Sequence, residues 1–375
     1  MMQAAMFSDR ETHVARHELR PYQLDALDDL RRCFGRGLKR VGLMLPTGAG
    51  KTTGACEMIR GAVEKGKRVL FICDRGELID QTSRRMDAEG IAHGVIQAQH
   101  ERCRPWEPVQ VCSIHTLARR RWPDADFIVV DEFHTVYRAM TVMCERWNAV
   151  PMVGLSATPF TKGLGKHWQH LVVGSTTQEL IDDGYLVPPV VYGPPGPDLS
   201  NVATVAGEYH QGQLGEATDQ PKLVADIVST WLSRGEDRQT ICFATNIAHS
   251  KHIVSEFVRA GIPAAHVDAH TESEERAESL AAFARGDVRI VSCVDVLTKG
   301  YDQPQASCLI LARPTKSLTV YVQQVGRVLR PAPGKTDAIV LDHAGNTARL
   351  GFVTDPLPSR LDDGKRKESK SGEKK

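Results

Sequence analysis

No stretch of these 375 residues is apolar for long enough to span a bilayer. The opening segment, MMQAAMFSDRETHVARHELR, has no apolar core ahead of its charges, which argues against a secretory signal and for a cytoplasmic chain. Cysteine never occurs as a Cys-x-x-Cys pair; the nine cysteines are scattered, and most sit in apolar runs, such as Cys73 in VLFICD, Cys242 in TICFAT and Cys293 in RIVSCV. That usage argues against a disulfide framework and against a zinc site, and reads as buried reduced thiols. Charge of one sign is also missing: the net charge is +1, so there is no global basic signature. A chain that holds nucleic acid in one groove can still be near neutral, so this neither requires nor excludes such a partner.

What is present is length and alternation. The chain is too long for one typical domain and comfortable for two. Its 41% hydrophobic and 25% charged residues are ordinary for a globular protein. Short apolar runs alternate with longer amphipathic ones, the βαβ pattern of a parallel sheet. In the first half the candidate strands are Val41–Leu45, Val69–Cys73, Val109–Ser113, Phe127–Val130 and Met152–Ser156. The Pro- and Gly-rich LVPPVVYGPPGPDLS then reads as a linker, placed at 188–200 between domains 1–187 and 201–355. A second alternation follows, with candidate strands Thr240–Ala244, Ala265–Asp268, Arg289–Ser292, Ser307–Ala312 and Asp337–Asp342. Thr271 and Glu274 are spaced as a capping box ahead of a helix through Ala277, Leu280, Ala281 and Ala284. The end of the chain, 356–375, is expected to be disordered because DDGKRKESKSGEKK is charged and almost free of apolar residues.

Four motifs carry chemistry. In VGLMLPTGAGKTT an apolar strand runs into Thr47, Gly48, Ala49, Gly50, Lys51 and Thr52. Glycines let the backbone approach phosphate oxygens, and the following helix points its N–H groups at them. Lys51 would hold the β- and γ-phosphates, and Thr52 would ligate Mg²⁺. The full P-loop pattern wants another glycine where Leu45 stands. In DFIVVDEFH a strand delivers Asp131 toward the metal and Glu132 toward the attacking water, on the expectation that it lies beside the P-loop strand. A DE pair after a strand is also common at surfaces; the upstream P-loop is what gives this one meaning. In VGLSATPF, Ser156 and Thr158 would relay the state of the nucleotide, or simply cap a turn. In YVQQVGRVLRP, Gln323, Arg327 and Arg330 fall on one face of a continued helix, a spacing that suits arginine fingers reaching a triphosphate in another domain.

TGAGKT, DEFH, SAT and QQVGRVLR, in that order, resemble motifs I, II, III and VI of superfamily 2 helicases. The likeness runs from about Leu19 to about Leu350. It implies two tandem RecA-like α/β domains, each a mostly parallel sheet flanked by helices, with ATP and Mg²⁺ bound between them. LRPYQ resembles the adenine-recognition element, which implies base contacts by Arg20 and Gln23. VDVLTKGYDQP resembles motif V, which implies Gly300 and Asp302 at the edge of the ATP site. By the same resemblance, nucleic-acid phosphates would meet Arg75, Ser113, His115, Thr116, Thr245 and Thr298. Such contacts bind without reading sequence. LRPYQ, RGELIDQ, TKGYDQP and LDHAGNT are most similar to the RadD-like and XPB-like DNA helicases, whose cysteine-rich C-terminal region has no counterpart in these residues.

Outside the motifs the readings stay double. Arg119, Arg120 and Arg121 either grip phosphates or form a solvated loop. Trp122 and Trp168 either stack on bases or pack in the core. His134 either couples the two sites or is a satisfied structural histidine. The expected function is an ATP-driven DNA helicase or translocase with little sequence specificity, acting in repair, recombination or phage replication. An RNA helicase is the alternative, disfavoured by DEFH instead of DEAD and by Gln323 at the start of motif VI. The motor subunit of a restriction-type complex is a second alternative. A non-catalytic scaffold is opposed by Lys51, Asp131, Glu132, Arg327 and Arg330 standing together.

Overall fold

The structure, a computed structural model, describes residues 18–74, 76–120, 122–135, 138–297 and 303–365. The first domain opens with α1 (Pro21–Gly35) and β1 (Arg40–Met44), followed by α2 (Lys51–Val63), β2 (Val69–Cys73), α3 (Gly76–Ala88), β3 (Gly94–Ile96), β4 (Val109–Ser113) and the short α4 (Ile114–Leu117). It continues through β5 (Phe127–Asp131), α5 (Arg138–Arg146), β6 (Met152–Ser156), β7 (His170–Val173) and α6 (Thr177–Asp182). These strands make one parallel sheet in the order β3-β4-β2-β5-β6-β1-β7. The strands are apolar and buried on both faces, as a parallel sheet covered by helices requires. In β1 and β6, Gly42 stands beside Gly154, and a Cβ on either would collide with Phe133. This smooth patch lets Phe133 and Trp168 pack on the sheet, ring centroids 4.6 Å apart.

The second domain contains β8 (Pro189–Tyr192), the hairpin β9 (Thr204–Val205) and β10 (Glu208–Tyr209), α7 (Gln211–Thr218), α8 (Pro221–Arg234), β11 (Thr240–Phe243), α9 (Ile247–Arg259) and β12 (Ala264–Val267). Then come α10 (Ser273–Arg285), β13 (Ile290–Cys293), β14 (Cys308–Leu311), α11 (Leu318–Val325), β15 (Ala338–Asp342) and α12 (Asn346–Leu350). Its sheet is parallel too, in the order β12-β13-β11-β14-β15-β8.

Three expectations change. Part of the Pro- and Gly-rich stretch is not a linker: Pro189–Tyr192 forms the edge strand β8 against β15. An edge strand tolerates proline because one side of it needs no donor. The end of the chain is not wholly free, since residues 356–365 cross back to the first domain. There the Asp362 carbonyl accepts from Gly165 N–H at 2.7 Å and its carboxylate accepts from Gly163 N–H at 2.8 Å. Leu357 and Leu361 pack against the core there; residues 366–375 lie outside the described set. Thr271 and Glu274 make no capping box. The N-cap of α10 is Glu272, and the Thr271 hydroxyl is engaged with Asp268 instead, accepting from its N–H at 2.9 Å. The hydrogen bonds to Asp268 from His266, His270 N–H and Thr271 N–H hold its carboxyl down at about 2 against the cost of burial.

Candidate active site between two domains

The P-loop follows β1. Gly48 and Gly50 have φ of +87° and +74°, a region that glycine adopts without strain. Gly50 is also the N-cap of α2, so Lys51 and Thr52 occupy its first turn, where the N–H groups have no partner within the helix. Leu45, which stands where the P-loop pattern has glycine, is buried in the core. A Cβ on Gly174 would come within 2.8 Å of its side chain, so the leucine serves packing, while its carbonyl accepts from Lys51 Nζ at 3.2 Å. Pro46 O is the second acceptor, at 3.3 Å. Burial pulls the Lys51 pKa down, against the pull of Glu132 and Asp131 nearby.

Asp131 ends β5 and Glu132 begins the turn after it. β5 is not the immediate neighbour of the P-loop strand, as the sequence suggested; β6 lies between them and brings Ser156 into the site. Burial, reinforced by the Glu132 charge, pushes the Asp131 carboxyl up to about 7. Glu132 has φ +48°, a left-handed conformation that is uncommon for a residue with a side chain. Its neighbour explains how it is held. Phe133 is buried in the core and its N–H donates to Leu155 O at 3.2 Å, which turns Glu132 and His134 the other way. Glu132 Oε2 lies 3.1 Å from His134 Nδ1 and accepts from the Ser156 hydroxyl at 3.3 Å. His134 Nδ1 also pairs with Ser156 Oγ at 2.8 Å. Ser156 Oγ accepts from Thr158 N–H at 2.9 Å. Gln323 of the second domain then donates to the Thr158 hydroxyl at 3.2 Å. A continuous hydrogen-bonded path thus runs from the DEFH glutamate across the domain boundary to QQVGRVLR.

The two arginines reach the same place by a different route from the one expected. Helix α11 ends at Val325 with Gly326 as its C-cap, so Arg327 and Arg330 project from the turn that follows it. Glycine is a poor helix former, and Pro331 disfavours helical backbone at Arg330. Gly326 lies so near the P-loop that a Cβ there would stand 2.6 Å from Thr47 Cβ. A Cβ on Gly48 would stand 2.9 Å from Arg330 Cγ. Arg327 is buried, and burial brings its guanidinium down to about 10, with Glu132 opposing that drop.

At the start of α1, Gln23 is buried and its amide is committed. Nε2 donates to Ala49 O at 3.0 Å and Gly50 O at 3.2 Å, and Oε1 accepts from Arg20 N–H at 2.9 Å. Two residues that sequence reasoning missed join this cluster. Tyr22 donates its hydroxyl to Ala49 O at 2.8 Å, and the Arg20 guanidinium lies 4.6 Å over the ring of Tyr185. Tyr22 stood in LRPYQ next to the residue that drew attention; nothing in the sequence pointed to Tyr185.

The residues expected to meet nucleic acid are not all placed alike. His115 is exposed and Thr116 half-buried at the start of α4, where Thr116 Oγ1 accepts from Ala98 N–H at 3.5 Å. Ser113 is buried at the end of β4. Thr245 is buried in the second domain, its hydroxyl donating to Ala312 O at 3.3 Å and accepting from Thr218 at 3.0 Å. Arg120 is exposed and donates to Ala98 O at 2.8 Å. Trp168 takes its core reading, and Trp122 packs on Trp147 with ring centroids 5.1 Å apart. Arg75, Arg121, Thr298, Gly300 and Asp302 lie outside the described residues.

With this geometry in place, two family models match the chain: "Type III restriction enzyme, res subunit" over residues 16–161 and "Helicase conserved C-terminal domain" over residues 220–332. The chain is a member of superfamily 2 of the helicases. Its RecA-like core resembles a fragment of an HsdR subunit of a type I restriction enzyme from Vibrio vulnificus, at TM-score 0.70 and 20% identity over 90% of this chain and 67% of that one. It also resembles the Hef helicase domain of Pyrococcus furiosus, at TM-score 0.52 and 17% identity over 86% of this chain and 94% of that one. In sequence it is 30% identical to a 51.5 kDa protein of a Lactococcus phage, over 80% of this chain and 65% of that protein. It is 26% identical to IRC3 of Saccharomyces cerevisiae, a chain named as an ATP-dependent helicase, over 92% of this chain and 54% of that one. This helicase core therefore spans between about half and two thirds of these relatives. Among the described residues no helix is long and apolar enough to cross a membrane.

Proposed function

We propose that the chain is an ATP-dependent DNA helicase or translocase that hydrolyses ATP between its two domains. The observation that carries the reading is the path from Glu132 through Ser156 and Thr158 to Gln323, with Arg330 lying against Gly48. Lys51 and the N–H groups at the start of α2 bind the phosphates. Asp131, at the end of β5, and Thr52, in the first turn of α2, both offer hard oxygen ligands and would hold Mg²⁺. Bound Mg²⁺ would neutralise charge on the β- and γ-phosphates. Glu132 orients the attacking water and accepts its proton, with His134 and Ser156 fixing its carboxylate. Arg327 and Arg330 stabilise the charge that develops on the γ-phosphate.

Because these arginines belong to the other domain, turnover is tied to domain packing, and a strand lying across both domains would modulate it. DNA is favoured over RNA by the DEFH and QQVGRVLR forms of the motifs. The match to a restriction-enzyme family model favours one second reading, the motor part of a larger restriction-type assembly. ATPase rates measured with single-stranded, duplex and forked DNA and with RNA, at one salt concentration, test the proposal. Stimulation by DNA above RNA is expected, and a rate indifferent to every nucleic acid overturns the motor reading.

A further inference from the structure

After α12 the chain leaves the second domain and returns to the first, and both ends of this crossing are anchored. On the second-domain side Asn346 pins α12: its Oδ1 accepts from Thr315 N–H at 3.0 Å and its Nδ2 donates to Arg313 O at 3.0 Å. Val353, just beyond, is buried. On the first-domain side the Asp362 carbonyl and carboxylate accept from the N–H groups of Gly165 and Gly163. The fit there is close: a Cβ on Gly165 would stand 3.0 Å from Asp362 O, and one on Gly364 would stand 2.8 Å from Lys166 Cε. Leu361 packs against the first-domain cluster that contains Leu164 and Trp168. Between the anchors, Pro356 and Leu357 share a cavity of about 220 Å³ with Met44, Pro46 and Ala157 of the first domain and Val322 of the second. The segment therefore spans the seam between the domains without filling it, and Pro356 and Pro358 stiffen it.

Its landing point lies next to the catalytic groups. Gly163 and Gly165 follow SATPF, and Thr161 in the same loop donates to His134 O at 2.5 Å. His134 in turn holds Glu132. The second domain thus reaches the DEFH turn twice, once through Gln323 and Thr158 and once through this segment. We propose that residues 355–364 are a strap that ties the domains together and favours their packed arrangement while no nucleic acid bridges them. A short, stiff segment keeps both anchors only while the domains stay packed, so the contacts of Asp362 and Leu361 stabilise that arrangement alone and shift the population toward it. Its effect on turnover rests on the reading of the seam as an ATP site, because Arg327 and Arg330 reach the P-loop only from the packed second domain.

The test reads domain packing directly. Cys103 is exposed and the other cysteines are buried, so a dye on Cys103 and a second on Glu278→Cys, exposed on α10, report the two domains by energy transfer in the full chain. Without nucleic acid, Leu361→Ser combined with Asp362→Ala is expected to lower transfer and to lower kcat/KM for ATP about tenfold, the scale of one hydrogen bond and one half-buried leucine. Saturating single-stranded DNA, which would lie across both domains, should return both to wild-type values. Asp362→Asn should behave as wild type, because its amide oxygen still accepts from Gly163 N–H. If the double variant fails to fold, Asp362→Ala alone carries the same expectations at smaller amplitude. Unchanged transfer, a faster rate without DNA, an Asn variant as weak as the Ala variant, or a defect left unrepaired by DNA that stimulates the wild type overturns the strap. A wild type that turns over no ATP, or is indifferent to DNA, overturns instead the function proposed above, and transfer without DNA then decides the strap by itself.

Discussion

The two domains equip the same site in opposite ways. The first supplies its groups from consecutive strand ends of one sheet: Lys51 after β1, Asp131 at the end of β5 with Glu132 following it, and Ser156 at the end of β6. Their spacing is set by the sheet itself. The second supplies Gln323, Arg327 and Arg330 from one helix end and the turn after it, and they reach the phosphate cradle only through contacts between domains, Gly326 on Thr47 and Arg330 on Gly48. One half of the site is prebuilt, and the other is delivered. What binds nucleotide and what turns it over should therefore separate by mutation.

The widest separation is expected at Arg330. Arg330→Ala should lower kcat by roughly 10³ to 10⁵, the range for a lost arginine finger, while ATP binding measured by titration stays close to wild type. Arg330→Lys should recover little, since a point charge does not reproduce the guanidinium fork. Equal losses in binding and turnover would erase the distinction between the halves. Glu132→Gln should lower kcat by about 10² to 10⁴, the usual contribution of a positioned general base, and should trap bound ATP. Wild-type turnover in a folded Glu132→Gln protein would remove Glu132 from the chemistry.

Gly326→Ala probes the delivery alone, because it touches no ligand. Its Cβ would stand 2.6 Å from Thr47 Cβ, so the domains must shift apart. A displacement of that order costs up to about 10² in rate. The loss should appear in kcat more than in nucleotide affinity; an unchanged kcat would mean the interface gives without moving Arg330.

The last effect is on stability and leaves turnover aside. His249 and His343, both buried in the second domain, are held neutral by burial, with their imidazoles down at about 4 against an ordinary 6.5. The unfolded chain therefore binds more protons between these values, and stability should fall as pH drops from about 6.5 to about 4 and level off below that. Each histidine contributes on the order of 3 kcal/mol at most, at about 1.4 kcal/mol per unit. Chemical denaturation at pH 7 and pH 4.5 should show the loss, and His343→Asn should reduce it. A pH-independent transition would mean these histidines are solvated in the folded state.

Much of this architecture was legible before any coordinates. Apolar runs that are buried on both faces place parallel strands, and strand ends in such sheets carry the ligand groups. Hence VGLMLPTGAGKTT and DFIVVDEFH pointed to adjacent chemistry. Local sequence misled where a short-range rule met a longer-range one. The spacing of Gln323, Arg327 and Arg330 resembled one helix face, but the helix ends at Val325 with Gly326 as its C-cap, so only Gln323 lies on it. Prolines at 188 and 189 suggested a linker, but an edge strand absorbs them.

The sequence by itself determined the periodicity, the glycines whose φ no other residue adopts comfortably, and the identity of every reactive group. These are properties of single residues and their near neighbours. Only the tertiary structure decided that β6 intervenes between the P-loop and Asp131, that Leu45 packs where a glycine was expected, and that Tyr185 joins Arg20. Each of those depends on which atoms, far apart in the chain, are brought within a few ångströms by close packing, and no local pattern encodes that.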